Sequence, residues 1–221
     1  MCGEGAGATV GDASRDEFVL DTPRVHDFIA RVRATIAGAA SPAAAIEAIR
    51  PAFAELLHDE TWLPAAYQAD APDSGMGGGI GQWLLFRSAA RDLSLFSLVV
   101  PPGATTPVHD HLAWGLIGLY RGEQEETVFA RRDPAAPVGE REELTPVLRR
   151  TVRPREFYPL LPPTDDIHQV RTTSAVTSVS LHLLANDAGC IWRHAFDPET
   201  AAVQPFRSGY VNKKCEGRNE K

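Results

Sequence analysis

The sequence predicts an all-β barrel or sandwich with a helical extension at its N-terminus. After residue 79, apolar and β-branched residues fall in short segments. Turn residues separate these segments at intervals of roughly 8–12 residues, a spacing typical of β-barrels. The 17 prolines and 18 glycines favour many turns over a helical bundle. Before residue 60, in contrast, apolar residues recur at helical spacing.

Two helices are predicted in the N-terminal part of the chain. The first begins at Thr22, whose hydroxyl can cap it, and ends at Gly38. The second begins at Ser41 and ends near His58. Residues 70–79 are rich in glycine and aspartate, which predicts a loop between the helices and the barrel.

Seven strands are predicted after this loop. They span Gln82–Arg87, Leu93–Val100, Leu116–Tyr120, Glu126–Arg131, Leu144–Val152, Glu156–Leu161 and Val176–Leu184. The domain organisation that follows is a disordered N-terminus at 1–16, a helical segment at 17–79 that packs on the barrel, the barrel at 80–212, and a loose tail at 213–221.

Charge and composition exclude several classes of function. A formal net charge of −7 disfavours nucleic acid and anionic membranes as partners, because both require a basic surface. No apolar run approaches the length of about 18 residues that spans a membrane, and residues 1–14 do not resemble a secretory signal. The three cysteines, Cys2, Cys190 and Cys215, are few and far apart, so we expect reduced thiols and a cytoplasmic location. The sequence leaves the oligomeric state open.

Two histidines one residue apart, His109 and His111, form the first candidate metal site. Alternate side chains of a strand share a face, so both imidazoles would point the same way and could bind one metal. Imidazole suits iron, zinc, copper and nickel. The pair alone is a weak signal, since it is also compatible with two ordinary polar residues on a half-buried strand.

Glycines at fixed distances strengthen the interpretation as a metal site. Gly103 lies six residues before His109, and Gly122 lies eleven residues after His111. This pattern resembles the first motif of the cupin superfamily: Gly, five residues, His-x-His, three or four residues, Glu, six residues, Gly. Gly115 stands where that motif has its glutamate.

The second cupin motif supplies a third histidine after a turn that contains proline. In this sequence Pro163 and His168 match that motif, whereas Asp165 stands where glycine is usual. The resemblance implies a cupin double-stranded β-helix, or jelly-roll barrel, with His109, His111 and His168 as metal ligands. Without the glutamate, three neutral ligands would leave positions open for a thiolate and dioxygen. Iron(II) can reduce dioxygen, whereas zinc has no redox chemistry.

Over roughly residues 80–212 the chain also resembles the thiol dioxygenase family, especially its bacterial cysteine dioxygenase type I-like and 3-mercaptopropionate dioxygenase branch. The motifs that carry this resemblance are residues 101–111 (PPGATTPVHDH), Trp114, 120–122 (YRG), 166–171 (DIHQVR), 180–182 (SLH), 196–200 (FDPET) and 206–210 (FRSGY). The resemblance implies a mononuclear iron(II) centre, with a small-molecule thiol and O2 as the reactants.

The family's Ser-x-His-x-Tyr network beside the iron is matched by Ser180 and His182, which the resemblance makes catalytic residues. Leu184 stands at the tyrosine, and Leu116 stands where animal enzymes have the cysteine that is cross-linked to that tyrosine. No thioether cross-link is therefore expected. For His182, a core histidine bonded to a backbone carbonyl is the other interpretation.

The substrate-binding residues are predicted from the same resemblance. Gln82 stands where the mercaptopropionate branch replaces an arginine of the animal enzymes, and Arg193 matches the arginine that this branch uses to hold a carboxylate. The other interpretation of Arg193 is a solvated surface residue.

The sequence thus predicts an iron(II)-dependent thiol dioxygenase that converts a 3-mercaptopropionate- or cysteine-like thiol to its sulfinate. Two other functions are compatible with the same residues. One is an iron cupin oxygenase that acts on a non-thiol small molecule. The other is a catalytically silent metal-binding cupin.

Overall fold

The structure is a computed structural model, and it describes residues 15–72 and 74–215. Its two α-helices are α1 (Pro23–Gly38) and α2 (Pro42–His58), and Ala65–Gln68 form one turn of 3-10 helix. The strands in this part of the chain are β1 (Glu17–Phe18), β2 (Gly81–Arg87), β3 (Ser94–Val100), β4 (Val108–His109), β5 (Gly115–Arg121), β6 (Gln124–Arg131), β7 (Leu144–Val152), β8 (Phe157–Leu160), β9 (Ile167–Thr172), β10 (Ser178–Leu184), β11 (Arg193–Phe196) and β12 (Val203–Phe206).

Both helices begin at the residues that the sequence predicted. The Thr22 hydroxyl accepts a hydrogen bond from the backbone N–H of Val25 at 3.4 Å, and the Ser41 hydroxyl accepts one from Ala44 at 3.2 Å. Each cap is followed by a proline, which needs no hydrogen-bond partner in the first turn. The helix predictions are confirmed.

The strand order identifies a jelly roll. Its eight central strands pair as nested hairpins, all antiparallel: β3 with β10, β4 with β9, β5 with β8, and β6 with β7. Alternate pairs fall in opposite six-stranded sheets, with the orders β1-β2-β3-β10-β5-β8 and β12-β11-β4-β9-β6-β7. Nested pairing across two sheets defines the double-stranded β-helix of cupins. The predicted fold class is confirmed.

Side chains of the first sheet alternate between two apolar layers. On β10, Leu181 and Leu183 belong to the layer that the helices cover, where Phe53 of α2 contacts Phe157 edge to face at 5.6 Å. Leu184 belongs to the layer inside the barrel. Because alternate residues of a strand share a face, Ser180 and His182 also point inward. The helices thus close one side of the barrel and leave its interior for the site.

All seven predicted strands are present, with ends shifted by a few residues. The sequence missed the two-residue strands β1 and β4, and also β9, β11 and β12. These are short and interrupted by polar or charged residues, so the pattern alone does not separate them from loops. Residues 70–79 form turns, as predicted for a loop, apart from Asp73, which lies outside the described residues.

The boundaries predicted for the two ends of the chain lie partly outside the described residues. Residues 1–14 and 216–221 are not described. Within the described part, the Asp16 carboxylate accepts hydrogen bonds from Arg33 and from the backbone N–H of Ala89. Lys213 lies 2.5 Å from the Glu17 carboxylate. Residues 15–16 and 213–215 therefore contact the folded part of the chain, unlike the disordered start and loose tail that were expected.

The prediction of reduced cysteines was wrong for two of the three. Cys190 and Cys215 form a disulfide with a Cα–Cα distance of 5.2 Å across a sequence separation of 25 residues, while Cys2 lies outside the described residues. Sequence spacing could not reveal the bond, because the folded C-terminal segment brings the two residues together. The cytoplasmic location therefore stays a prediction. In the described chain, neither helix is long and apolar enough to cross a membrane.

We expect the disulfide to stabilise the protein by about 2–4 kcal/mol, because it restricts the unfolded chain. Urea unfolding of the oxidised protein, of the protein with reductant and of Cys215→Ser should show the same loss in the last two. Non-reducing peptide mapping should recover Cys190 and Cys215 in linked peptides. Equal stability with and without reductant would contradict this expectation.

Candidate metal centre

Three buried histidines converge inside the barrel. The pairing of β4 with β9 sets His109 directly opposite His168, and His111 follows just after β4 ends. One ring nitrogen of each lies within 4.8 Å of those of the other two, and the ring centroids are 4.7–5.0 Å apart. The structure thus brings together the three ligands that the sequence predicted.

Each imidazole uses Nδ1 to bond an oxygen of the protein. The bonds run from His109 to the Pro107 carbonyl at 2.8 Å, from His111 to the Asp166 carbonyl at 3.1 Å, and from His168 to the Glu126 carboxylate at 2.8 Å. Carbonyl and carboxylate oxygens only accept hydrogen bonds, so Nδ1 carries the proton in all three rings. The lone pair on each Nε2 is therefore free for a metal.

Burial keeps two of these rings neutral. Loss of solvation lowers the pKa of His111 to about 4 and lowers that of His109 well below its ordinary value. Neutral imidazole is the form that binds metal. Three such donors fit iron, zinc, copper or nickel.

No fourth protein ligand fits where the cupin motif has glutamate. A Cβ atom on Gly115 would lie 2.0 Å from the Leu183 carbonyl oxygen and 2.9 Å from a methyl carbon of Leu184. The close approach of β10 to β5 therefore requires glycine at this position. A metal held by the three histidines would keep its remaining coordination positions for exogenous ligands.

Ser180 and His182 lie on the inner face of β10. The Ser180 hydroxyl is 3.0 Å from Nε2 of His182, and the His182 ring stacks on Phe96 with centroids 4.7 Å apart. Nδ1 of His182 is buried without a hydrogen-bond partner in the described part of the chain. His182 is therefore not bonded to a backbone carbonyl. Burial lowers its pKa well below the ordinary value.

The two leucines at the family's cross-link positions face opposite ways. Leu184 lies in the apolar layer inside the barrel, whereas Leu116 belongs to the layer that the helices cover. Leu116 is therefore separated from the site by the thickness of the sheet.

Arg193 faces the metal centre from the neighbouring strand. On β11, Ala195 pairs with His109, and Arg193, two residues earlier, points to the same side. Only 4% of Arg193 is exposed, which rules out the interpretation as a solvated surface residue. Its guanidinium lies over the Phe206 ring at 4.7 Å.

The hydrogen bonds of the Arg193 guanidinium are incomplete. It donates to the Asp110 carbonyl at 2.5 Å and to the Ser208 hydroxyl at 3.0 Å, and its Nε is buried without a partner. No ion pair of Arg193 with a carboxylate is present among residues 15–72 and 74–215. Burial lowers its pKa to about 10, so it stays charged at neutral pH. Within the described residues this buried cation thus has no carboxylate at ion-pair distance, although the Asp110 and Asp166 carboxylates lie near enough to stabilise its charge.

Gln82 lies beside a cavity of about 550 Å³ that Met76, Ser208 and Tyr210 also line. Gln82 is 3% exposed, and its side-chain nitrogen has no partner among the described residues. Ser208 lines the same cavity and binds Arg193.

Sequence analysis missed three polar residues of this region: Glu126, Arg150 and Asp166. The Asp166 carboxylate accepts hydrogen bonds from the backbone N–H groups of His111 and Leu112, at 2.9 and 3.2 Å. Its position two residues before His168 was a usable signal. Glu126 and Arg150 lie on separate strands, and the sequence contains no local signal for them.

No protein-family model matches the chain. Among solved structures, oxalate oxidase is 16% identical with a TM-score of 0.41, and the match covers 59% of this chain and 61% of that chain. A double-stranded β-helix protein from Klebsiella pneumoniae is 10% identical over 65% of this chain and 94% of its own, with a TM-score of 0.41. A Cupin_2 domain of a transcriptional regulator from Enterobacter cloacae is 18% identical over 48% and 94%, with a TM-score of 0.33. This chain thus spans about three fifths of the oxalate oxidase chain. The cupin fold assigned here depends on the strand order.

We expect His109→Ala, His111→Ala and His168→Ala each to remove most of the bound metal, because two imidazoles hold a metal much more weakly than three. Elemental analysis of iron-loaded, desalted protein would give the metal content per chain. His58→Ala, a change at the exposed end of α2, is the control and should retain full metal. Full occupancy in any of the three variants would exclude that residue as a principal ligand.

Proposed function

We propose that this protein is an iron(II)-dependent dioxygenase that adds both atoms of O2 to a small thiol and releases the sulfinate. The observation that carries the proposal is a buried three-histidine group next to a buried arginine, and in the described residues neither has a carboxylate bound directly to it as a metal ligand or an ion-pair partner. The resemblance to thiol dioxygenases at the same residues supports it.

The three histidines suit this chemistry because imidazole binds a metal as a neutral ligand. Their Nε2 atoms would hold the metal, and Gly115 leaves no room for a fourth protein ligand. Iron(II) in this site would supply electrons to dioxygen and a positive charge that favours the thiolate form of the substrate. The barrel interior would keep bulk water from the reacting groups.

Arg193 would hold the far end of the substrate. A guanidinium in a desolvated site binds a carboxylate strongly, and Nε is free to donate to one. A carboxylated substrate would also provide the ion-pair partner that the described residues do not. Gln82 has an unused amide N–H group on the side of Ser208 and can donate a second hydrogen bond.

His182 would bond the substrate or the oxygen that is being transferred. Its Nδ1 is free, and its Nε2 is held by Ser180, so the ring has a fixed orientation. A neutral imidazole in this position can accept the thiol proton at Nδ1 or donate a hydrogen bond from it.

We expect the site to prefer a thiol carboxylate that lacks an amino group, such as 3-mercaptopropionate, over cysteine. Leu184 makes the wall apolar where the family has a tyrosine, and Gln82 carries no charge. Burying the cysteine ammonium without a partner would cost roughly several kcal/mol.

Leu184 also favours a second candidate, an iron cupin oxygenase for a non-thiol small molecule, because no hydroxyl remains there to bond a thiol substrate.

An oxygen electrode and product analysis test the proposal directly. Iron-loaded protein supplied with a panel of thiols should consume one O2 per sulfinate formed, fastest with 3-mercaptopropionate. Zinc-loaded protein is the control and should consume none. Oxygen uptake with a non-thiol compound alone would support the second candidate, and metal binding without any uptake would favour a silent binding protein.

We expect Arg193→Ala to lower kcat/KM for 3-mercaptopropionate. The factor should correspond to a loss of about 2–5 kcal/mol in transition-state stabilisation, which is the value of a desolvated charge pair. The loss for 2-mercaptoethanol, which has no carboxylate, should be far smaller. Steady-state kinetics on both thiols would measure the difference. Ser208→Ala, which removes one partner of Arg193 but keeps its charge, is the control for disturbed packing. Equal losses for the two thiols would remove Arg193 from the binding site.

A further inference from the structure

We propose that Glu126 is a positioning residue of the metal centre, which fixes His168 through a hydrogen bond from Nδ1 of that ring to a carboxylate paired with Arg150. The inference rests on the three-histidine site of the proposed function, but it does not depend on the identity of the substrate.

Two strands hold the Glu126 carboxylate between them. One oxygen accepts a hydrogen bond from Nδ1 of His168 on β9 at 2.8 Å. The other accepts one from Nε of Arg150 on β7 at 2.5 Å, and Arg150 is the direct cross-strand neighbour of Glu126. Glu126 is 1% exposed. Its carboxylate can therefore move little, and the His168 ring is fixed with it.

The hydrogen-bond acceptor of Nδ1 in His168 is charged, unlike the acceptors of the other two predicted ligands. His109 and His111 donate from Nδ1 to backbone carbonyls, which are neutral. The Asp166 carboxylate is 3.6 Å from Nδ1 of His111, but it already accepts two backbone N–H groups. Among the residues that the structure describes, Glu126 is thus the acidic residue whose carboxylate lies within hydrogen-bond distance of the imidazole of a predicted metal ligand.

The surroundings of Glu126 provide it with a cation. Its carboxylate forms an ion pair with Arg150, whose Nε lies 2.5 Å from one carboxylate oxygen. Arg150 is in turn held over the Tyr158 ring at 4.0 Å. The chain thus carries one carboxylate next to the site, although Gly115 excludes a carboxylate from the metal itself.

A charged acceptor on Nδ1 makes the opposite nitrogen of the imidazole more basic. Nε2 of His168 should therefore bind a divalent metal more tightly than a ring bonded to a neutral oxygen. Loss of such a partner typically weakens metal binding by about 10- to 100-fold. Glu126 would act entirely through His168, which makes it a positioning residue rather than a catalytic one.

Glu126→Gln tests the charge, because glutamine keeps an oxygen that can accept from His168. The matched control is Glu125→Gln, one residue earlier on β6, where the carboxylate instead lies 3.9 Å from the exposed Arg149. Zinc affinity would be measured by competition with a chromophoric chelator, and the cobalt(II) form by its absorption spectrum. We expect about 10- to 100-fold weaker zinc binding and an altered cobalt spectrum in Glu126→Gln. Glu125→Gln should match the wild type.

A second variant covers the case in which Glu126→Gln does not fold. Arg150→Gln changes a residue on the solvent-facing strand β7 and removes the cation that holds Glu126. It should weaken zinc binding in the same direction but by less. Wild-type affinity in both variants, or in Arg150→Gln alone if Glu126→Gln is unfolded, would overturn the proposal, as would an equal loss in Glu125→Gln.

The same measurements separate this proposal from the proposed function. Wild-type protein that binds zinc but forms no sulfinate would overturn the dioxygenase, while the affinities of the variants would still decide the role of Glu126. Wild-type protein that binds no metal at all would overturn both.

Discussion

The antiparallel pairing of β4 with β9 is the constraint on which the metal centre depends. This contact is only one residue pair long, His109 with His168, yet β4 also carries β11 on its other edge. The pairing therefore places Arg193 next to His109, while β6, on the other edge of β9, brings Glu126 to His168. One short strand in the middle of a sheet thus brings His109, His168, Glu126 and Arg193 together.

Such a concentration of polar groups inside a barrel costs desolvation, and the protein offsets most of that cost with internal hydrogen bonds. Nine buried side-chain atoms have no hydrogen-bond partner in the described chain, and three of them belong to His182, Gln82 and Arg193. These three nitrogens lie on three different strands, β10, β2 and β11. Each is available to form a hydrogen bond with a polar ligand.

The C-terminal segment completes this arrangement from outside the jelly roll. Ser208 binds Arg193, the Tyr210 hydroxyl donates to Asp187 at 2.9 Å, and Asn212 bonds the backbone of Leu84. The disulfide at Cys215 then joins the end of the segment to the loop after β10. The disulfide and the hydrogen bond that orients the Arg193 guanidinium therefore belong to the same stretch of chain.

The sequence by itself determined the helices, seven of the strands and the three histidines. Periodicity, caps and ligand spacing are local properties, and each can be read within about a dozen residues. Only the tertiary structure decided which distant residues meet. The roles of Glu126 and Arg150, the burial of Arg193 and the Cys190–Cys215 bond depend on pairing between strands far apart in the chain, and nothing in the local pattern of a strand specifies its neighbours. At Gly115 the sequence and the tertiary structure each supplied one part of the explanation. The sequence showed that the motif's glutamate is missing, and the structure showed that the backbone of β10 leaves no room for a side chain there.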